Sequence, residues 1–144
     1  MTIEVFERVD QQVIRFMDRY GVPLLRTALG VVFVWFGALK ILGVSPVEEL
    51  VAQTVYFFPA EPFVRFLGVW EVLVGMGLLF KVFLRTVLAL FFLQMAGTFL
   101  VLVLHPEISF QNGNPLLLTT IGEFVVKNLV LITAGLVIGS TVRR

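Results

Sequence analysis

A chain of 144 residues that is 58% hydrophobic, carries a net charge of +1 and has no cysteine excludes several classes at once. A soluble domain is roughly 45–50% apolar; the excess here lies in long runs and points to a polytopic membrane protein. Near-zero charge offers no bulk attraction for nucleic acid. The lack of cysteine excludes disulfides, thiol exchange and thiolate metal sites, and the single histidine, His105, excludes multi-histidine metal and bis-histidine haem sites within one chain.

The N-terminal stretch MTIEVFERVDQQVIRFMDRYG has no apolar core and no small-residue cleavage site, so it does not read as a signal peptide. Phe6, Val9, Val13, Phe16 or Met17, and Tyr20 fall at one-sided helical spacing. Glu7, Arg8, Gln11, Gln12, Arg15 and Arg19 fill much of the rest. The pattern predicts an amphipathic helix over residues 1–22 that lies on the membrane surface. Gly21 and Pro23 are expected to end it and turn the chain into the bilayer.

Hydrophobic runs follow at about 24–44, 63–80, 82–104 and 116–139, each near the roughly 20 residues that cross a bilayer core. They are too continuous for the alternating strands of a barrel. The expected fold is therefore all-α: one integral membrane four-helix bundle over the whole chain. Between the first two runs, Ser45-Pro46-Val47-Glu48 reads as a helix start. Val47, Leu50, Val51, Thr54, Val55 and Phe58 then continue at helical spacing until Pro59 and Pro62. This predicts a short outer interfacial helix, either a lid over a cavity or a closure of the bundle. His105 opens a second polar loop, with a turn signal at Asn112-Gly113-Asn114-Pro115.

Arg8, Arg15, Arg19, Arg26, Lys81, Arg85, Arg143 and Arg144 all fall on one side if four spans are crossed. The loops 45–62 and 105–115 hold no Lys or Arg, only Glu48, Glu49, Glu61 and Glu107. The positive-inside rule puts both termini in the cytoplasm.

Polar groups inside the spans are the candidate site. At 1.5 Å per residue, Lys40 lies about 6 Å below the outer boundary, Glu71 about 12 Å, Gln94 about 15 Å, and Glu123 and Lys127 about 10 and 16 Å. A charge in lipid costs about 2.5–3.5 kcal/mol on insertion scales. The expectation is that Glu71 and Glu123 turn inward and pair with Lys40 and Lys127, while Asn128 bonds to a neighbouring helix. Such a layer either holds the helices in register or forms a buried ligand site. Arg26 and Arg65, near the two boundaries, are expected to reach head groups. Gly30, Gly37, Gly68, Gly75, Gly97 and Gly135 are expected to be points of close helix approach.

The segments LLRTALGVVFVWFGALKI, LGVWEVLVGMGLL and VVKNLVLITAGLVIG resemble the DoxX-like family of small bacterial membrane proteins. Arg26, Gly37, Lys40, Glu71, Gly75 and Lys127 carry the likeness. It implies a four-helix bundle in the bacterial inner membrane and a role as a subunit or accessory of a redox complex. It also implies a quinone as ligand and a membrane or peripheral oxidoreductase as partner. A homo-oligomer, a transporter of protons or small solutes, and an assembly scaffold without a ligand are the alternatives. With no cysteine and one histidine, catalysis by this chain alone is not assigned.

Overall fold

The computed structural model describes residues 1–54, 57 and 59–143, and these form an all-α structure. Its elements are α1 (Thr2–Ile41), α2 (Glu48–Thr54), α3 (Ala60–Phe80), α4 (Leu84–Leu104), α5 (Pro106–Ser109), a single 3₁₀ turn (Gln111–Gly113) and α6 (Thr120–Gly139). Among the described residues four helices, α1, α3, α4 and α6, are long and apolar enough to cross a membrane. They pack in a ring: α1 on α3, α3 on α4, α4 on α6 and α6 on α1. Val55 and Phe58, expected on the short outer helix, and Arg144 lie outside the described residues.

The predicted break after Tyr20 is absent. One helix of 40 residues runs through Gly21 and Pro23. Proline removes the hydrogen bond to the carbonyl four residues back, which is that of Arg19. That turn is exposed, so solvent can take the freed carbonyl, and Thr27 Oγ1 donates to the Pro23 carbonyl at 2.8 Å just beyond it. Residues 1–21 consequently form an arm, exposed on every side, rather than a separate helix set off by a turn.

The α1–α3 contact is the most extensive between helices among the described residues, and glycine brings the two backbones close. An added Cβ on Gly37 would lie 2.6 Å from the Gly68 carbonyl oxygen, and one on Gly68 would lie 2.7 Å from that of Gly37. Gly75 and Gly30 repeat the arrangement at 2.7 and 3.0 Å. The two reciprocal pairs are seven residues apart on each antiparallel helix, two turns, so one face of each repeats the contact. Gly135 also works as expected, against the Phe91 ring, but Gly97 meets nothing within 4 Å and is not a helix contact.

The helix ends explain the remaining boundaries. Pro62 does not stop α2; it sits in the first turn of α3, where amide groups have no intrahelical partner and proline costs nothing. Ser45 Oγ accepts from the Val47 amide at 3.4 Å ahead of α2. At the far end of α3, Arg26 donates to the Leu78 carbonyl and, at 3.2 Å, to that of Leu79. These are carbonyls that a helix C-terminus leaves unpaired and that a cation suits. Arg26 is thus a clamp between α1 and α3, whereas Arg65 is exposed and pairs with Glu61 at 2.7 Å.

The fourth span begins at Thr120, not at 116. Residues 110–118 instead form a small hairpin, with Phe110 bridged to Leu118 and the Gln111 amide donating to the Leu117 carbonyl at 2.7 Å. Thr119 caps α6: its Oγ1 accepts from the Gly122 amide at 3.1 Å and donates to the Ile108 carbonyl at 2.5 Å. Thr119→Ala should lower stability by about 1 kcal/mol, a typical capping loss, read as a lower thermal midpoint of the helical circular dichroism.

Candidate functional site

Lys40 and Glu71 meet in the interior, each less than a tenth exposed. Lys40 Nζ donates to both carboxylate oxygens, Oε1 at 2.9 Å and Oε2 at 2.8 Å. The geometry follows from helix direction. Side chains lean toward the N-terminus of their own helix. On antiparallel helices, Lys40 near the end of α1 and Glu71 in the middle of α3 therefore lean toward one another. The close glycine pairs hold the two backbones at the spacing this bridge needs.

Gln94, from α4, completes the cluster. Its Nε2 donates to Glu71 Oε1 at 2.5 Å. Glu71 thus accepts three hydrogen bonds from two other helices. A carboxylate accepts only, so the amide nitrogen of Gln94 must face it and the amide oxygen must face away. That oxygen is buried and has no partner among the described residues. The indole Nε1–H of Trp70, the residue before Glu71, is likewise buried and without a partner among them.

Both orphaned atoms belong to residues that line a cavity of about 510 Å³. Its polar lining residues are Lys40, Glu71 and Gln94, which are joined by hydrogen bonds, with Thr98 and Asn128. Most of its remaining wall is apolar, with Phe33 and Phe36 from α1, Leu67 from α3, Val101 from α4 and Leu131 from α6. Val47, Leu50 and Val51 also line it, so the short helix α2 and its entry turn form part of the wall.

Comparison with protein families, with curated proteins and with solved structures gave no match. The site must be read from its own geometry.

Two expected members are not in it. Glu123 and Lys127 are exposed, and no ion pair joins them among the described residues. The rotation of α6 is set by Gly122 and Val125, which are both buried. An added Cβ on Gly122 would lie 2.1 Å from the Ser109 carbonyl oxygen, so only glycine lets α6 approach there. Lys127 is two residues past Val125, about 200° around the helix, and so faces outward. Asn128 does reach the cavity, but its amide makes no hydrogen bond to a neighbouring helix among the described residues.

The other polar candidates are local. His105 Nδ1 lies 2.9 Å from Glu107 Oε1, and this hydrogen bond holds the Glu107 carboxyl below its ordinary range. Trp35 is 63% exposed and is not among the residues that line the cavity. Among the described residues no group of three His, Asp or Glu side chains is placed to hold a metal.

In the sequence Trp70 lies within a span, where packing beside the site and ordinary core packing are both open and the second is favoured. The signal that it belongs to the site is that it precedes an intramembrane glutamate and carries a donor that lipid cannot satisfy.

Proposed function

We propose that this chain is a multi-pass membrane protein of the DoxX-like type, with both termini on the cytoplasmic side of a bacterial inner membrane. It acts as the membrane subunit or accessory of a redox complex and holds a membrane-soluble ligand, such as a quinone, in the interior of its four-helix bundle. The observation that carries this reading is the apolar cavity of about 510 Å³ lined in part by the Lys40–Glu71–Gln94 cluster. Ligand pockets are of this size and kind: mostly apolar, with a few convergent polar groups. A pathway for ions or polar solutes would call for a more hydrophilic wall.

The one-sided distribution of Lys and Arg supports the orientation. The chain has no native cysteine, so single introduced cysteines report it cleanly. Cysteines at Glu48 and Gln111 should label from outside intact cells with a membrane-impermeant maleimide, and one at Arg143 should not; the reverse pattern would overturn the orientation. For the function, gently solubilised protein is examined by native mass spectrometry and lipid extraction. Recovery of a quinone at about one per chain, or of a stoichiometric oxidoreductase, supports the proposal. A chain that emerges without a ligand and without a partner refutes it.

A further inference from the structure

We propose that the N-terminal arm of α1, residues 1–21, is a homodimerisation element: two copies of the chain pair through their arms as a parallel, in-register coiled coil outside the membrane. The proposal stands apart from the ligand reading of the cavity, since no arm residue is among those that line it.

The course of α1 takes the arm away from the lipid surface. The helix has 40 residues, a length of about 60 Å, twice the roughly 30 Å of a bilayer core. Its apolar run begins at Leu24, and no turn sets the arm off from the span. The arm is therefore carried outward along the span rather than laid flat. Charge agrees. Within residues 1–21, Arg8, Arg15 and Arg19 stand against Glu4, Glu7, Asp10 and Asp18. A helix that binds a lipid surface has a basic polar face, and this one has no cationic surplus.

The apolar residues of the arm fit a second copy. Phe6, Val9, Val13, Phe16 and Tyr20 recur at alternating steps of three and four, the seam of a heptad repeat. Each is 42–71% exposed. The rings of Phe16 and Tyr20 lie 5.0 Å apart and make one aromatic strip. Aromatic side chains bury about 150–250 Å² each, and with the valines two such seams withdraw on the order of 1,000 Å² from water, enough for a specific interface. The positions that flank the seam carry only two charges, Asp10 on one side and Arg19 on the other. In a parallel pair Asp10 faces Val5 and Arg19 faces Leu24 of the other copy, so no like charges meet. Glu4, Glu7, Arg8, Arg15 and Asp18 fall away from the seam. The membrane supplies the rest. The seam is short, residues 6–20, but the span has already nucleated its helix. One-sided Lys and Arg give every copy the same orientation. Two arms thus leave the bilayer parallel, at one level and at high effective concentration.

The test uses the full chain, which has no native cysteine, with single cysteines introduced at Val9, Val13, Gln11 or Asp18 and a short thiol crosslinker applied to native membranes. Val9→Cys and Val13→Cys should give a product of twice the chain mass. Gln11→Cys and Asp18→Cys, on the far side of the helix, should not. Val13→Asp added to Val9→Cys sets two carboxylates in the seam and should abolish the product, whereas Gln11→Asp in the same background should keep it. Both variants should retain the helical circular dichroism of the wild type, because the arm is exposed on every side. Equal crosslinking at all four positions is random collision and overturns the proposal. Cysteines at Val9 and Val13 that neither crosslink nor react with a water-soluble maleimide are covered by lipid, which also overturns it. Free labelling without crosslinking leaves the seam uncovered, and a product of another mass puts a different protein on it; either result overturns the pairing of two copies.

Discussion

Glu71→Gln should destabilise the protein by about 3–5 kcal/mol, the usual loss when one member of a buried ion pair is removed. The substitution keeps shape and volume. It leaves Lys40, about a tenth exposed at its side chain, as a buried cation without a counter-charge. It also sets an amide where Gln94 Nε2 and Lys40 Nζ both need acceptors. Arg143→Gln, at an exposed position, should change stability by no more than about 0.5 kcal/mol. The measurement is reversible unfolding in mixed micelles, followed by helical circular dichroism. The paired variant Lys40→Met, Glu71→Leu separates two roles. Matched apolar replacement of a buried pair is often neutral, so this variant should recover much of the stability lost in Glu71→Gln. If the cluster also serves a ligand, the same variant should fold and yet lose ligand or partner. Equal tolerance of Glu71→Gln and Arg143→Gln would mean that Glu71 is not held by Lys40 in the membrane.

What the sequence disclosed was what depends on one dimension. Four helices follow from the length of the apolar runs, and the Lys40–Glu71–Gln94 cluster follows from the cost of leaving such groups in lipid. What it did not disclose was rotation and continuity. Glu123 was expected inside because its depth in the span matched that of the other ions and a charge in lipid is costly. The span, however, starts at Thr120, so Glu123 lies in the first turn of α6, where a carboxylate suits the helix N-terminus and needs no partner. Lys127, one turn on, can extend its stem toward the same boundary. The inward face of α6 was written instead in Gly122, through a contact with the Ser109 carbonyl that no local pattern reveals. Continuity failed at Gly21 and Pro23 for a related reason. Turn signals report local cost, and a single lost hydrogen bond on an exposed helix is cheap enough for α1 to continue through them.

Gly37→Ala should separate α1 from α3 and weaken the site along with the fold. A membrane helix pair has little hydrophobic drive, since lipid chains are as apolar as the helix faces, and close backbone packing replaces it. At Gly37 the new methyl would sit 2.6 Å from a backbone oxygen and 2.9 Å from the Val72 amide nitrogen. Neither atom is the yielding tip of a side chain, so the helices must move apart. Overpacking of this kind costs about 1–3 kcal/mol. Gly68→Ala should cost a similar amount, and the two together less than their sum, because one displacement relieves both contacts. Gly21→Ala is the control: nothing lies within 4 Å of its added methyl, and exchanging glycine for alanine inside a helix should stabilise by up to about 1 kcal/mol. Lys40 stands one turn beyond Gly37, and an added Cβ at Gly68 would lie 2.9 Å from the Lys40 Cβ, so the displacement falls on the Lys40–Glu71 bridge. In Gly37→Ala, removal of Glu71 should therefore cost less than it does in the wild-type background. A double-mutant cycle between Gly37→Ala and Glu71→Gln reads that coupling directly; strict additivity of the two losses would show that the glycine contact and the ion pair are independent, and that close approach of α1 and α3 does not set the geometry of the site.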